Sequence, residues 1–185
     1  MIGAPPTAAG VRAALDDVTD PEIPVVTIAD LGVLRDVSVE AGRVVVTLTP
    51  TYSGCPAMQE IEADVRGALA GRGWDDVEVR TVLAPAWTTD WMSERGREAL
   101  RAYGIAPPAR RAPGPVPVTL GSVAPGSVAP GSAAPGSSAL APAEPDCPRC
   151  ASPRTEELTR FASTSCRSLW RCLDCREPFD HFKAH

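Results

Sequence analysis

The sequence predicts an α+β protein that consists of a small mixed domain, a low-complexity linker and a C-terminal zinc ribbon. Three observations support this architecture. Helical and alternating apolar patterns succeed one another over residues 7–103, residues 105–145 are dominated by proline, glycine, serine and alanine, and two C-x-x-C pairs follow. The predicted boundaries are therefore 1–104 for the mixed domain, 105–145 for the linker and 146–185 for the ribbon.

The first predicted helix covers residues 7–18, because apolar side chains recur at the spacing of one helix face at Val11, Leu15 and Val18. The acidic, proline-bounded segment 20–24 ends this helix. Residues 25–34 are apolar but show no clear period. Residues 37–48 alternate around a short turn that contains glycine, which is typical of a β-hairpin.

The next predicted helix follows the hairpin, with one apolar face made by Met58, Ile61, Val65 and Leu69. Residues 76–83 alternate again and predict a third strand. Ser93 is a suitable N-cap for a last helix that runs to Tyr103 and is stopped by Gly104. The predicted order is helix, strand, strand, helix, strand, helix.

The loop T-P-T-Y-S-G-C-P-A, residues 49–57, joins the hairpin to the second helix and carries Cys55. Pro56 is predicted to be the first helical residue, since proline is tolerated there. Cys55 would then lie at the helix N-terminus, where the dipole and free amides lower the pKa of a thiol. The alternative is that Cys55 is a small buried apolar residue.

The linker contains ten prolines, five glycines and three charged residues, and its centre repeats G-S-V-A-P with small variations. Such a composition cannot bury a core, so the segment is expected to be disordered and to act as a tether.

The two C-x-x-C pairs are 21 residues apart, close to the spacing of structural zinc ribbons, and their cysteines are Cys147, Cys150, Cys172 and Cys175. A redox pair and a rubredoxin-like iron site are the alternatives. Cys166 lies too far along the strand to share that ion, so it is either a plain strand residue or a second free thiol. His181 and His185 are expected to be exposed tail residues rather than ligands.

The net charge of −5 and the lack of a Lys/Arg cluster argue against nucleic-acid or anionic-membrane partners. The sequence has no signal-peptide pattern and no long apolar run, which predicts a cytoplasmic protein. Six cysteines in such a protein indicate metal binding or reactivity rather than disulfides.

Several motifs resemble known families. D-P-E-I-P (20–24), I-A-D-L-G (28–32) and the Cys55 loop resemble the metal–sulfur cluster assembly factors related to SufT and the eukaryotic cytosolic iron–sulfur targeting proteins. The later segments resemble, more narrowly, the PaaD subunits encoded with bacterial phenylacetyl-CoA epoxidases: C-P-R-C, S-T-S-C, L-W-R-C-x-x-C and E-P-F-D-H-F-K.

The resemblance implies an accessory subunit that delivers or assembles an iron–sulfur or di-iron centre for the epoxidase or its reductase, without being catalytic itself. It implies Cys55 as the exchange thiolate and Cys166 as a second thiol facing it. Asp20 and Glu22 would hold iron or steer a partner, and Thr49 and Thr51 would shape the loop. The implied cofactors are a structural Zn²⁺ and a transient iron or iron–sulfur cluster.

The implied partners are the oxygenase subunits, the reductase subunit or both, and a homodimer stays open. Two other functions are also open. One is a thiol oxidoreductase that uses Cys55 and Cys166. The other is a structural adaptor whose zinc ribbon only docks a partner.

Overall fold

The computed structural model describes residues 4–109 and 144–183, and its elements follow the predicted order. The helices and strands are α1 (Ala8–Leu15), β1 (Leu34–Glu40), β2 (Arg43–Leu48), α2 (Met58–Ala70), β3 (Val77–Thr81), α3 (Glu94–Tyr103), β4 (Ile105–Ala106), β5 (Thr155–Thr159), β6 (Arg167–Cys172) and β7 (Pro178–Phe182). The predicted α+β class is therefore confirmed. The linker prediction falls mostly on residues outside the described ranges.

The first sheet has the order β1-β2-β3, with β1 antiparallel and β3 parallel to β2. The hairpin turn uses Ala41 and Gly42, whose φ angles are 49° and 91°, so both adopt the left-handed conformation that a tight two-residue turn requires. The helices α1 and α2 bury one apolar stripe each in the core of this domain, through Val11, Leu15, Ile61, Val65 and Leu69.

Helix α1 ends at Leu15, three residues before the predicted end at Val18. Asp16 and Asp17 follow directly, and carboxylates oppose the helix dipole at a C-terminus. The amide of Val18 bonds to the Leu15 carbonyl at 3.1 Å in a closing turn. Val18 is still buried, although it lies outside the helix.

The segment 25–34, whose pattern shows no period, forms turns that carry the I-A-D-L-G motif and then enters β1 at Leu34. Asp30 accepts hydrogen bonds from the Ser93 hydroxyl at 2.6 Å and from Arg95 Nε at 3.0 Å. Ser93 also caps α3, which ends at Gly104 with a φ of 96°. The motif therefore anchors the N-terminus of α3 to the domain.

The second sheet has the order β4-β7-β6-β5 and joins the two halves of the chain. Strand β4 lies in the range assigned to the linker, yet it pairs in parallel with β7. Both residues of β4 are apolar and buried, which explains why the sheet extends past Gly104.

The ribbon also contributes side chains to the core of the N-terminal domain. Phe182 and Cys166 belong to the same buried cluster as α1, α2 and the first sheet. The rings of Phe182 and Trp87 pack with their centroids 5.9 Å apart. Within the described residues, no helix has the length and apolar character needed to cross a membrane.

Candidate functional site

Cys55 is half-buried in the loop between β2 and α2. Its amide donates to the Tyr52 carbonyl at 3.1 Å, and the Thr49 amide donates to the Val33 carbonyl at 2.8 Å, which fixes the loop to the domain. Helix α2 begins at Met58, and Ala57 is its N-cap without a side-chain hydrogen bond. The predicted start at Pro56 is too early, so Cys55 lies before the helix terminus.

Thr49 and Thr51 are buried beneath the same loop, 1% and 8% exposed. With Leu83 and Trp87 they line an open groove of about 500 Å³ beside the loop. Their position is compatible with shaping the loop, and that role stays a prediction.

The acidic turn 20–24 lies near Cys55 and is held by its own backbone. The Asp20 carboxylate accepts hydrogen bonds from the amides of Glu22 and Ile23, both at 2.9 Å. Such an aspartate-centred turn fixes the carboxylate and the direction of the following residues. The negative charges of Glu22 and Asp20 both disfavour ionisation of the Cys55 thiol.

Cys166 reaches this group from the ribbon, directly before β6. Its sulfur lies 4.0 Å from Glu22 Oε2, although the two residues are 144 positions apart in the sequence. The Lys183 amide donates to the Cys166 carbonyl at 2.9 Å, which ties the residue to the end of β7. The structure therefore brings together four of the predicted site residues: Cys55, Asp20, Glu22 and Cys166.

The Cys55 thiol has a raised pKa, so the predicted stabilisation of a thiolate by the helix N-terminus is wrong for this conformation. Burial is the main cause, and the negative charges of Glu22 and Asp20 and the neighbouring Cys166 add to it. A hydrogen bond from the Ala57 backbone favours the thiolate but is outweighed. The thiol is predominantly protonated at neutral pH.

The other three acids of the group also hold their protons more strongly than usual. Burial raises the pKa of Asp20 above its ordinary value, and it does the same for Glu22, with help from the Asp20 charge. Burial and the Glu22 charge likewise raise the pKa of Cys166. Burial thus disfavours the charged forms of all four acids, and a cation bound among them would favour those charged forms.

The four ribbon cysteines form a separate and tighter cluster. Their sulfurs all lie within 4.8 Å of one another, with 3.7 Å between Cys147 and Cys175 and 3.6 Å between Cys150 and Cys172. A tetrahedral zinc ion with Zn–S bonds of about 2.3 Å requires sulfurs about 3.8 Å apart. The cluster therefore fits zinc.

Each C-x-x-C pair is followed directly by a residue with positive φ, Ala151 at 57° and Arg176 at 66°. The two knuckles thus have the same backbone turn, which aims both pairs of sulfurs at one point. Cys166 lies outside this cluster, as its spacing predicted.

Among the described residues, these four cysteines are the one set of three or more His, Cys, Asp or Glu side chains whose ligand atoms come this close together. The group around Cys55 is spaced more widely. It combines soft sulfur with hard oxygen donors, a mixture that accepts iron and other transition metals.

His181 is a strand residue of β7 and not the exposed tail residue that the sequence predicted. Its ring packs edge-on against Trp170 at 6.0 Å, and burial lowers the pKa of His181 to about 4. His185 lies outside the described residues.

Thr164 and Arg167 border the site, and the sequence did not predict that either residue belongs there. The Thr164 hydroxyl lies 3.0 Å from the Cys166 sulfur and accepts a hydrogen bond from Arg167 Nε at 3.0 Å. Only the S-T-S-C motif could have indicated Thr164, because a hydroxyl two residues before a cysteine is well placed to reach its sulfur.

Comparisons with known proteins match two separate segments of the chain. Residues 8–81 match the family described as iron-sulfur cluster assembly protein, and residues 132–183 match the PaaD zinc beta ribbon domain. A protein of Escherichia coli (strain K12), provisionally named as one of the subunits of 1,2-phenylacetyl-CoA epoxidase, is 43% identical over 180 residues, which are 97% of this chain and 94% of that protein. The chain belongs to the PaaD family.

Two further relatives match only the part that carries Cys55. The Fe-S protein maturation auxiliary factor YitW of Bacillus subtilis (strain 168) is 40% identical over 92 residues, 49% of this chain and 89% of the relative. The Fe-S protein maturation auxiliary factor SufT of Staphylococcus aureus (strain USA300) is 38% identical over 85 residues, 45% of this chain and 96% of the relative.

Both the family and the structural zinc site predicted from the motifs are thus confirmed. In this PaaD protein, Cys55, Asp20 and Glu22 lie in the assembly segment, whereas Cys166 and the four zinc ligands lie in the ribbon segment.

Proposed function

We propose that this PaaD protein is an accessory component of a phenylacetyl-CoA epoxidase system that delivers or assembles an iron–sulfur or di-iron centre. The observation that carries the proposal is the group of Cys55, Asp20, Glu22 and Cys166, assembled from both halves of the chain. The relatives named as Fe-S maturation factors cover the half with Cys55, and the relative named as an epoxidase component covers both halves.

In this proposal Cys55 is the exchange thiol. Iron or a small cluster is the cargo, and it binds as the thiols release their protons. The Asp20 carboxylate is already fixed by two amide hydrogen bonds, so it adds negative charge at a defined position. Cargo held by a widely spaced, mixed donor set is released more easily than an ion held by four close thiolates, which suits transfer.

The zinc ribbon has a structural role in the proposal, because it presents Cys166 to the assembly domain. The oxygenase and reductase subunits of the epoxidase are the proposed recipients and partners. The proposal holds for a monomer and for a homodimer alike.

Co-expression of the epoxidase with Cys55→Ser tests the proposal. We expect the variant to fold and to retain zinc, while the purified epoxidase lacks its iron centre and its activity. Ser53→Ala in the same loop is the matched control and should leave the epoxidase loaded. Fully loaded, active epoxidase from the Cys55→Ser strain would overturn the proposal and favour the structural adaptor.

The second candidate function is a thiol oxidoreductase, favoured by two free thiols in one group, Cys55 and Cys166. The raised pKa of both thiols disfavours it, since the thiolate is the attacking species. Turnover of a disulfide substrate that is lost in either Cys→Ser variant would establish this function.

A further inference from the structure

The Thr164 hydroxyl contacts the thiol through which the ribbon approaches the assembly domain. It lies 3.0 Å from the Cys166 sulfur, and that sulfur lies 4.0 Å from Glu22 Oε2. Thr164 is half-buried in the turn that leads into β6. The hydroxyl, the thiol and the assembly domain's carboxylate therefore follow one another in a chain of contacts, with Cys166 in the middle.

Arg167 fixes the direction of these hydrogen bonds. Its guanidinium can only donate, so Nε–H occupies one lone pair of the Thr164 oxygen at 3.0 Å. The hydroxyl then keeps one proton to donate and one lone pair to accept. Donation of that proton to the Cys166 sulfur leaves the Cys166 S–H directed at Glu22 Oε2, 4.0 Å away.

Arg167 is itself held firmly, so it can act as the anchor of this arrangement. It is 9% exposed, and its Nη1 donates to the Asp180 carboxylate on β7 at 2.9 Å. The Arg167 amide also bonds to the Thr164 carbonyl at 3.2 Å, which closes the turn around Cys166.

We propose that Thr164 and Arg167 are positioning residues for metal exchange: Arg167, anchored on Asp180, orients the Thr164 hydroxyl so that Cys166 and Glu22 meet at the Cys55 site. This inference rests on the proposed function for its role, whereas the contact it describes can be tested without any metal exchange.

The first test, which needs no metal exchange, is a double-mutant cycle on thermal unfolding with Thr164→Val and Glu22→Gln in the zinc-loaded full chain. Valine has the shape of threonine without the hydroxyl. If the two residues interact, the double variant unfolds at a higher temperature than the sum of the single shifts predicts. Strictly additive shifts would overturn the inference. Thr159→Val, which removes an exposed hydroxyl of β5 that bonds to Phe161, is the control and should be additive with Glu22→Gln.

The second test follows Co²⁺ binding to the reduced, zinc-loaded full chain by thiolate-to-cobalt absorption, with a Cys55→Ser/Cys166→Ser variant as the ribbon baseline. We expect wild-type protein to bind Co²⁺ through two thiolates, and Thr164→Val to show about half that absorption and about tenfold weaker binding, as loss of one hydrogen bond to a charged group would produce. Thr164→Ser, which keeps the hydroxyl, should restore both. Arg167→Gln should resemble Thr164→Val, whereas Arg171→Gln on the same strand should resemble wild type.

The outcomes separate the two proposals. Wild-type Co²⁺ binding that is unchanged in Thr164→Val would overturn the positioning role. A wild type that takes up no Co²⁺ above the baseline, together with a non-additive double-mutant cycle, would support the contact and count against the proposed function.

Discussion

Asp20 and Asp30 show how the surroundings of one residue type decide its role. Burial alone would raise the pKa of Asp30, but hydrogen bonds from Arg95, Ser93 and Thr27 hold it below its ordinary value. Asp20 receives amide hydrogen bonds, yet burial still raises its pKa. Asp30 is therefore a satisfied structural acid, whereas the hydrogen bonds of Asp20 do not offset its burial, as is typical of functional sites.

At this scale we predict that Glu22 controls the reactivity of Cys55. Burial raises the pKa of Cys55 and the Glu22 charge raises it further, so replacing that carboxylate by an amide lowers the pKa again. In Glu22→Gln, alkylation of Cys55 by iodoacetamide should be faster at pH 7.5, and its midpoint should move to lower pH. Peptide mapping by mass spectrometry separates Cys55 from the other cysteines.

Glu98→Gln is the control, because Glu98 is exposed on α3 and does not contribute to the pKa of Cys55. A Cys55 alkylation profile that is the same in Glu22→Gln and in wild-type protein would contradict the prediction.

The secondary-structure elements differ in how much of them the sequence could predict. Helix α3 is bounded by Ser93 and Gly104 as predicted, because both caps are local signals. The end of α1 and the pairing of β4 were not predictable, since both depend on contacts with distant parts of the chain. The approach of Cys166 to Glu22 was out of reach of spacing arguments for the same reason, and the resemblance implied only that Cys166 faces Cys55.

At the scale of elements we predict that Gly32 is required for packing of the turn 27–32 against Trp91. Its φ is 72°, and an added Cβ would lie 2.6 Å from the Cβ and the carbonyl oxygen of Trp91. Gly32→Ala should therefore cost about 3–5 kcal/mol, from left-handed strain and overpacking together. Chemical denaturation measures this change in the free energy of unfolding.

Gly42→Ala isolates the contribution of packing. Gly42 also has positive φ, 91°, but an added Cβ there meets nothing within 4 Å. Its cost should be about 1–2 kcal/mol, from strain alone. Equal losses of stability in the two variants would show that the contact with Trp91 is unimportant.

Over the whole molecule, the proposed exchange site exists only where the two halves of the chain meet. Strand β4 adds the assembly half to the ribbon sheet, and Phe182 adds the ribbon to the assembly core. The zinc site and the exchange thiols are thereby linked, because the ribbon strand β6 ends at the zinc ligand Cys172 and begins directly after Cys166. Loss of docking should consequently disturb the Cys55 site without any change in its own residues.

We predict that Phe182→Ala produces this loss. Phe182 is 1% exposed and packs on Trp87, so truncation should cost about 3–5 kcal/mol. Phe161→Ala removes the same side chain from a position that is 67% exposed, where the Lys183 ammonium 4.4 Å from the ring contributes at most about 1 kcal/mol.

Because Phe182 anchors the end of β7 that binds the Cys166 backbone, Cys166 should become accessible to alkylation in Phe182→Ala and stay protected in Phe161→Ala. Retention of zinc in both variants would show that the ribbon itself is intact. Protection of Cys166 that survives in Phe182→Ala would mean that β4 and the contact of Cys166 with Glu22 hold the two halves together without the aromatic pair.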